Sequence, residues 1–323
     1  MFTQIKQINQ DSLAEAKRWL ESGESVAFPT ETVYGLGGDA RRDDSVRKIY
    51  EIKGRPSDNP LIVHVHKDFD LSSLVYDERP YAAELRKAFL PGPLTLVYKS
   101  RGTVSNLVSC GLDTLAVRVP SHAGAQEFLK FVDMPIAAPS ANISKHISPV
   151  SAEHVYEDLK GKLPLILDGG RCTGGIESTV CDVTGEYPVV LRTGLVSAEM
   201  IAQVTGKCDV YIPKSGERVR SPGMKYKHYA PKCRTRLFSA EQLNEAHEEF
   251  LSLQKKGLRV FVLCEESESG AFPEEYVLNL GNTGKEMAAN LYELLHKGEK
   301  IADVIVAIEP KKRTALWRAY LTV

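Results

Sequence analysis

Lys53-Gly54-Arg55-Pro56-Ser57-Asp58-Asn59-Pro60-Leu61-Ile62-Val63-His64 closes a helix and opens a strand. Upstream, residues 44–52 carry a helical apolar pattern, with Asp43 or Asp44 as cap and Gly54 as stop. Downstream, residues 60–65 form an apolar, strand-like run. Lys53 and Arg55 then admit two explanations. Cations complement the negative end of a helix dipole wherever they stand in a last turn. The two prolines, however, stiffen the exit and push the residues before them into extended geometry. Lys53 and Arg55 would thereby share a rigid rim, followed by the amide of Asn59. A point charge, a planar fork and a neutral donor together suit a triphosphate.

Outward from this stretch, apolar strand patterns recur at 26–28, 94–98, 115–119, 135–138, 163–167, 179–183 and 189–192. Helical patterns lie at 12–22, 80–89, 122–131, 151–159 and 197–204. Neither strict βαβ alternation nor an all-β rhythm fits, so a mixed α/β sheet with packed helices is expected. Residues 213–236 break the pattern: Lys214, Arg218, Arg220, Lys225, Lys227, Lys232, Arg234 and Arg236 stand against Glu217 alone, among Pro, Gly and Ser. That composition reads as a linker. Beyond it, strands at 258–263, 276–280 and 302–307 alternate with helices at 240–254 and 284–296, the pattern of a small parallel α/β domain. The expected organisation is a domain at 1–210, a basic linker and candidate lid at 211–236, and a C-terminal domain at 237–323.

The whole chain of 323 residues balances 41 basic against 42 acidic residues, so no global field marks a polyanionic partner. Cys110, Cys172, Cys181, Cys208, Cys233 and Cys264 include no C-x-x-C pair, which points to reduced thiols and away from a zinc or redox motif. The first residues lack a signal-peptide pattern, and no apolar run reaches the roughly 20 residues that span a bilayer. A cytoplasmic protein without membrane contact is expected. No P-loop, H-E-x-x-H or G-x-S-x-G pattern occurs. A G-x-G-x-x-A match at Gly35, Gly37 and Ala40 follows a polar lead-in, unlike a dinucleotide turn that leaves its strand directly.

Other segments carry groups suited to a ligand. Pro29-Thr30-Glu31-Thr32-Val33-Tyr34 gathers hydroxyls, a carboxylate and a phenol after a buried strand. Ala138-Pro139-Ser140-Ala141-Asn142 ends another strand with small hydroxyl and amide groups, as Ser178-Thr179 opens a third. Arg118 and Arg192 belong to otherwise apolar strands, so each must meet either an internal carboxylate or a ligand in a cleft.

Taken in order, P-T-E-T-V-Y-G-L-G at 29–37, K-G-R-P at 53–56, P-L-I-V-H at 60–64, P-G-P-L-T at 91–95, R-V-P at 118–120, S-A-N at 140–142, S-T-V at 178–180 and S-P-G-M-K-Y-K-H-Y-A-P at 221–231 resemble the threonylcarbamoyl-AMP synthase family in its long, two-domain form. The resemblance implies a mixed, twisted YrdC-like α/β domain and a smaller, parallel, Rossmann-like C-terminal domain. It also implies condensation of L-threonine, bicarbonate or CO2, and ATP into threonylcarbamoyl-AMP and pyrophosphate. Magnesium would ride on the ATP phosphates, with no tightly bound cofactor. The product would pass to a downstream threonylcarbamoyl-transferase complex that modifies the adenosine beside the anticodon, with a weak direct contact to tRNA. By motif, Thr32, His64, Arg118, Ala138 and Ser178 would be threonine-site positions. Arg55, Asn59, Thr114, Ser140, Asn142, Ser148, Arg192 and Tyr229 would be ATP-site positions. Lys53 would face the phosphates and, with Arg55, stabilise charge during the reaction. Two other readings remain. One is an RNA-binding module without catalysis, although its basic stretch lacks interleaved aromatics. The other is a carbamoyl-transfer enzyme like the hydrogenase-maturation proteins of related fold, whose zinc-finger cysteines are missing here.

Overall fold

The computed structural model describes residues 1–76, 79–212 and 231–311. These divide into two units, the first holding the N-terminal domain and the second most of the C-terminal region.

The first unit is built on β1 (Gln4–Gln7), β2 (Val26–Phe28), β3 (Gly35–Asp39), β4 (Ile62–His64), β5 (Val75–Tyr76), β6 (Leu94–Ser100), β7 (Thr114–Arg118), β8 (Ile136–Ala137), β9 (Leu165–Asp168), β10 (Thr179–Asp182), β11 (Val189–Arg192) and β12 (Asp209–Val210). They join in the order β1-β9-β2-β3-β8-β4-β7-β6-β10-β11-β12, with β5 added to β6. Pairing is mixed: β4 with β7 and β6 with β10 are parallel, while β6 with β7 and β4 with β8 are antiparallel. The register sets His64 opposite Arg118, and Arg118 opposite Thr95. Three residues remote in sequence therefore share one row across three strands. One face is sealed by a cluster including Leu13, Leu20, Phe28, Phe128, Leu129 and Leu165.

The helix Asp43–Lys53 ends where expected, with Gly54 at φ +59°, a left-handed position that glycine fills without a Cβ penalty. Its start differs from expectation. Arg42 is the cap residue and makes no side-chain cap bond, while Asp43 and Asp44 lie in the first turn, where their charges favour the dipole.

The glycines near residue 35 also differ from a phosphate loop. They lie in β3, a wholly buried strand. A Cβ on Gly37 would stand 2.8 Å from Ile136 and 3.0 Å from the Phe28 ring. These glycines serve close packing, which removes the dinucleotide reading of Gly35, Gly37 and Ala40.

The second unit contains β13 (Arg234–Phe238), β14 (Val260–Cys264), β15 (Val277–Asn279) and β16 (Val304–Ile308), ordered β13-β16-β14-β15. Its pairings are all parallel. The helix Gly284–Ile301 opens with a capping box between Thr283 and Glu286. Phe250, Val260, Val262, Val304 and Val306 are among its core residues. Strand β13 begins at Arg234, inside the stretch read from composition as linker.

Candidate active site

The apolar run of β7 ends in Arg118, which is 4% exposed. Its Nη2 donates to Oε1 of Glu31 at 2.7 Å and its Nη1 to Oγ1 of Thr32 at 2.8 Å. The second Glu31 oxygen accepts the backbone N–H of Ser121 at 3.0 Å. Both explanations of a charged residue in this strand thus meet here. An internal carboxylate holds Arg118, while its Nε is buried with no hydrogen-bond partner among the described residues. A buried donor left unpaired costs about 1–3 kcal/mol, which a bound acceptor would recover.

His64 lies beside Arg118 and edge-on to Phe28, ring centroids 5.8 Å apart. Its Nδ1 meets the carbonyl oxygen of Ile62 at 3.3 Å. That oxygen can only accept, so Nδ1 carries the proton and Nε2 is left as an acceptor. Burial, reinforced by the Arg118 charge, pushes the ring's pKa down to about 3. An unfolded histidine titrates near 6.5, so below about 6.5 the unfolded chain binds a proton that the native ring refuses. Stability contributed by the neutral ring is present above that pH. It is lost as pH falls, at roughly 1.4 kcal/mol per unit toward pH about 3. Urea unfolding between about pH 7 and 5 should show this slope, and His64→Gln should flatten it. An identical slope in the variant would rule out this origin.

Ser178 completes this side of the site. It is buried, its hydroxyl lies 2.8 Å from Oγ1 of Thr95, and Arg192 donates to its carbonyl from Nε at 3.1 Å and from Nη2 at 2.8 Å. Arg192 Nη2 also reaches the Ser178 hydroxyl at 3.2 Å. The turn is crowded: a Cβ on Gly194 would stand 2.5 Å from both the Glu177 oxygen and the Thr179 nitrogen. Gly194→Ala should therefore shift backbone at Ser178. The expected result is a stability loss of about 1–3 kcal/mol with weakened ligand binding, read from thermal unfolding and titration together. Ala138 is buried and its N–H donates to the Ile62 oxygen at 2.9 Å, which ties its loop to β4.

On the other side, Lys53 departs from the rim position expected of it. It is 2% exposed, and its Nζ donates to the Ser140 oxygen at 2.5 Å, the Asn142 oxygen at 2.6 Å and Asn142 Oδ1 at 3.2 Å. Burial and the nearby Arg55 push its pKa well below the usual lysine range. The three acceptors work the other way, since they match the three N–H bonds of an ammonium and would leave a neutral amine one donor short. Lys53 braces the S-A-N loop, and its donors are spent there.

Ser140 Oγ donates to Asn142 Oδ1 at 2.6 Å, so lysine, serine and asparagine form one unit. Arg55 donates to the Asn59 oxygen at 3.4 Å and the Pro60 oxygen at 3.3 Å, folding back over the proline-stiffened exit. The Asn59 side chain is 1% exposed, and neither its Nδ2 nor its Oδ1 has a partner among the described residues. Ser148, also buried, donates to Glu177 Oε1 at 2.6 Å. Thr114 opens β7 opposite Lys99, and among the described residues no side-chain hydrogen bond joins it to the other candidates. Tyr229 and residues 213–230 of the candidate lid fall outside the described residues.

Sequence reasoning passed over Thr95, Gly194 and, as a holder of Arg118, Glu31. P-T-E-T, P-G-P-L-T and the glycine two residues after Arg192 held the signal.

Chemically, the first unit offers a guanidinium with a donor in reserve, a neutral imidazole, buried hydroxyls, a loop braced by Lys53 and the unpaired amide of Asn59. These features define an α/β protein whose first unit carries a buried cluster of charged, imidazole and hydroxyl groups. A family model described as "Telomere recombination" matches residues 18–194, and one described as "Threonylcarbamoyl-AMP synthase, C-terminal domain" matches residues 196–321. The chain belongs to the threonylcarbamoyl-AMP synthase family. It is 41% identical over 310 residues to the threonylcarbamoyl-AMP synthase of Pyrococcus abyssi, covering 94% of this chain and 90% of the relative. It is 42% identical over 307 residues to that of Bacillus subtilis, covering 93% and 88%. Among solved structures, P. abyssi Sua5 complexed with L-threonine superposes with a TM-score of 0.89 at 37% identity, covering 99% of this chain and 95% of that one.

Among the described residues no helix is long and apolar enough to cross a membrane. No group of three or more His, Cys, Asp or Glu there could hold a metal ion.

Proposed function

We propose that this chain condenses L-threonine, bicarbonate or CO2, and ATP into threonylcarbamoyl-AMP and pyrophosphate, for transfer of the threonylcarbamoyl group to tRNA by a downstream enzyme. The observation that carries the reading is the buried Arg118, clamped by Glu31 yet keeping an unpaired donor beside Thr32, His64 and Ser178. That donor would meet the substrate carboxylate. The α-amine adds to CO2 to give a carbamate, and a carbamate oxygen attacks the α-phosphorus as pyrophosphate leaves. This route needs no enzyme nucleophile. The protein contributes positioning and charge stabilisation in a water-poor site. Arg55, Asn59, Ser140, Asn142, Ser148 and Arg192 would hold the nucleotide, with Thr114 at its margin. Magnesium arrives as part of the MgATP substrate, since the site carboxylates Glu31 and Glu177 are already hydrogen-bonded.

The test is pyrophosphate release from ATP with threonine and bicarbonate each supplied or withheld, followed by mass spectrometry for the mixed adenylate. Release should require both co-substrates. Equal release without threonine would overturn the reading.

A further inference from the structure

A guanidinium can only donate hydrogen bonds and a backbone carbonyl oxygen can only accept them. In this protein two threonine hydroxyls stand between one of each. Arg118 Nη1 donates to Thr32 Oγ1 at 2.8 Å, Thr32 Oγ1 lies 2.9 Å from Thr30 Oγ1, and Thr30 Oγ1 donates to the Val33 oxygen at 2.6 Å. Each hydroxyl owns a single proton. The Thr30 proton goes to Val33, so Thr30 must accept from Thr32, and the Thr32 proton is spent. The backbone N–H groups of Thr32 and Val33, at the longer distances of 3.1 and 3.2 Å, share the second lone pair of Thr30 Oγ1, which keeps that oxygen on the accepting side. Thr32 is left with one lone pair and nothing to donate.

The donor end is held just as firmly. Glu31 fixes Arg118 through one oxygen and is itself anchored to the Ser121 N–H through the other. Thr30 and Glu31 are 1% and 8% exposed, so both work from within the protein.

We infer that Thr30 and Glu31 are positioning residues that fix the direction of this buried hydrogen-bond chain, so that Thr32 meets the amino-acid substrate solely as an acceptor. The inference rests on the function proposed above. Thr32 cannot serve the substrate carboxylate, which needs donors. With Arg118 on the carboxylate, the group next along the substrate is the α-amine, and Thr32 lies one hydrogen bond from Arg118. Accepting from the amine orients the nitrogen that must react.

Calorimetric titration of the full-length protein with L-threonine, and separately with MgATP, tests this on Thr30→Val, Thr30→Ser and Glu31→Gln. Losing a directed hydrogen bond should raise the threonine Kd about tenfold in Thr30→Val and in Glu31→Gln, with the ATP Kd unchanged. Thr30→Ser keeps the hydroxyl and should stay within about threefold of wild type. Should Thr30→Val fail to fold, the Ser and Gln variants still decide the matter. Threonine affinity within about twofold of wild type in Glu31→Gln, or equal weakening of threonine and ATP, would overturn the inference. Failure of the wild-type protein to bind threonine would instead overturn the function on which it rests.

Discussion

Lys53→Met is expected to lower threonine-dependent pyrophosphate release by about a hundredfold or more. The change removes the ammonium from a cage of three oxygens, the Ser140 and Asn142 carbonyls and Asn142 Oδ1, of which the last keeps the Ser140 hydroxyl as a donor. Each buried hydrogen bond lost in this way costs about 1–3 kcal/mol, so the loop should shift toward other donors and carry the Ser140 and Asn142 side chains with it. A fall in melting temperature should accompany the loss of turnover. Lys53→Arg should not restore activity, because a planar fork does not match three oxygens arranged about a point charge. Arg55→Ala provides the contrast. It should depress ATP binding with less effect on melting temperature, since the hydrogen bonds of Arg55 to the Asn59 and Pro60 oxygens are long and the side chain is half-exposed. Near-normal turnover in Lys53→Met would remove the bracing role.

Arg118→Ala should have the second large effect, of a different kind. It strips Glu31 of its ion-pair partner and abandons a buried carboxylate, a change that typically costs about 3–5 kcal/mol. It also removes the carboxylate fork, so kcat/KM for threonine should fall on the order of a thousandfold, while the affinity of the folded variant for ATP holds. The double variant Arg118→Ala with Glu31→Ala separates the two losses. Stability should recover in part, because the stranded charge is gone, and threonine binding should not recover. Denaturant unfolding and threonine titration on the same samples check this. Return of threonine binding in the double variant would show that Arg118 serves the fold alone.

Sequence pattern located most of the fold where apolar periodicity was strong. The helix Pro80–Phe89 falls on the expected 80–89, and the strand Val189–Arg192 on 189–192. The two strands missed in the first forty residues have physical reasons. Gln4–Gln7 is short and polar at three of its four positions, and takes its place through parallel pairing with Leu165–Asp168, which no local signal encodes. Gly35–Asp39 has glycine at three of five positions, because the Phe28 ring, the Ile136 side chain and the Ser45 hydroxyl occupy the space where side chains would go. For the site, the motifs located the loops. What they could not give was the direction each side chain takes. Lys53 and Arg55 are two residues apart, yet one is buried in its own protein and the other is half-exposed. Spacing along a chain does not distinguish a cation that touches ligand from one that supports the loop that does.

The parallel pairing of Ile62–His64 with Thr114–Arg118 also bears on how the protein comes into being. Parallel neighbours cannot be joined by a tight turn, so the intervening chain must complete its excursion, including the antiparallel strand Leu94–Ser100, before His64 and Arg118 meet. Contacts so distant along the chain form slowly, because loop-closure entropy is lost before they give any return. During synthesis the proposed amino-acid site should therefore appear late. A nascent fragment ending before residue 118 would lack Arg118, so partly made chains would not sequester substrate.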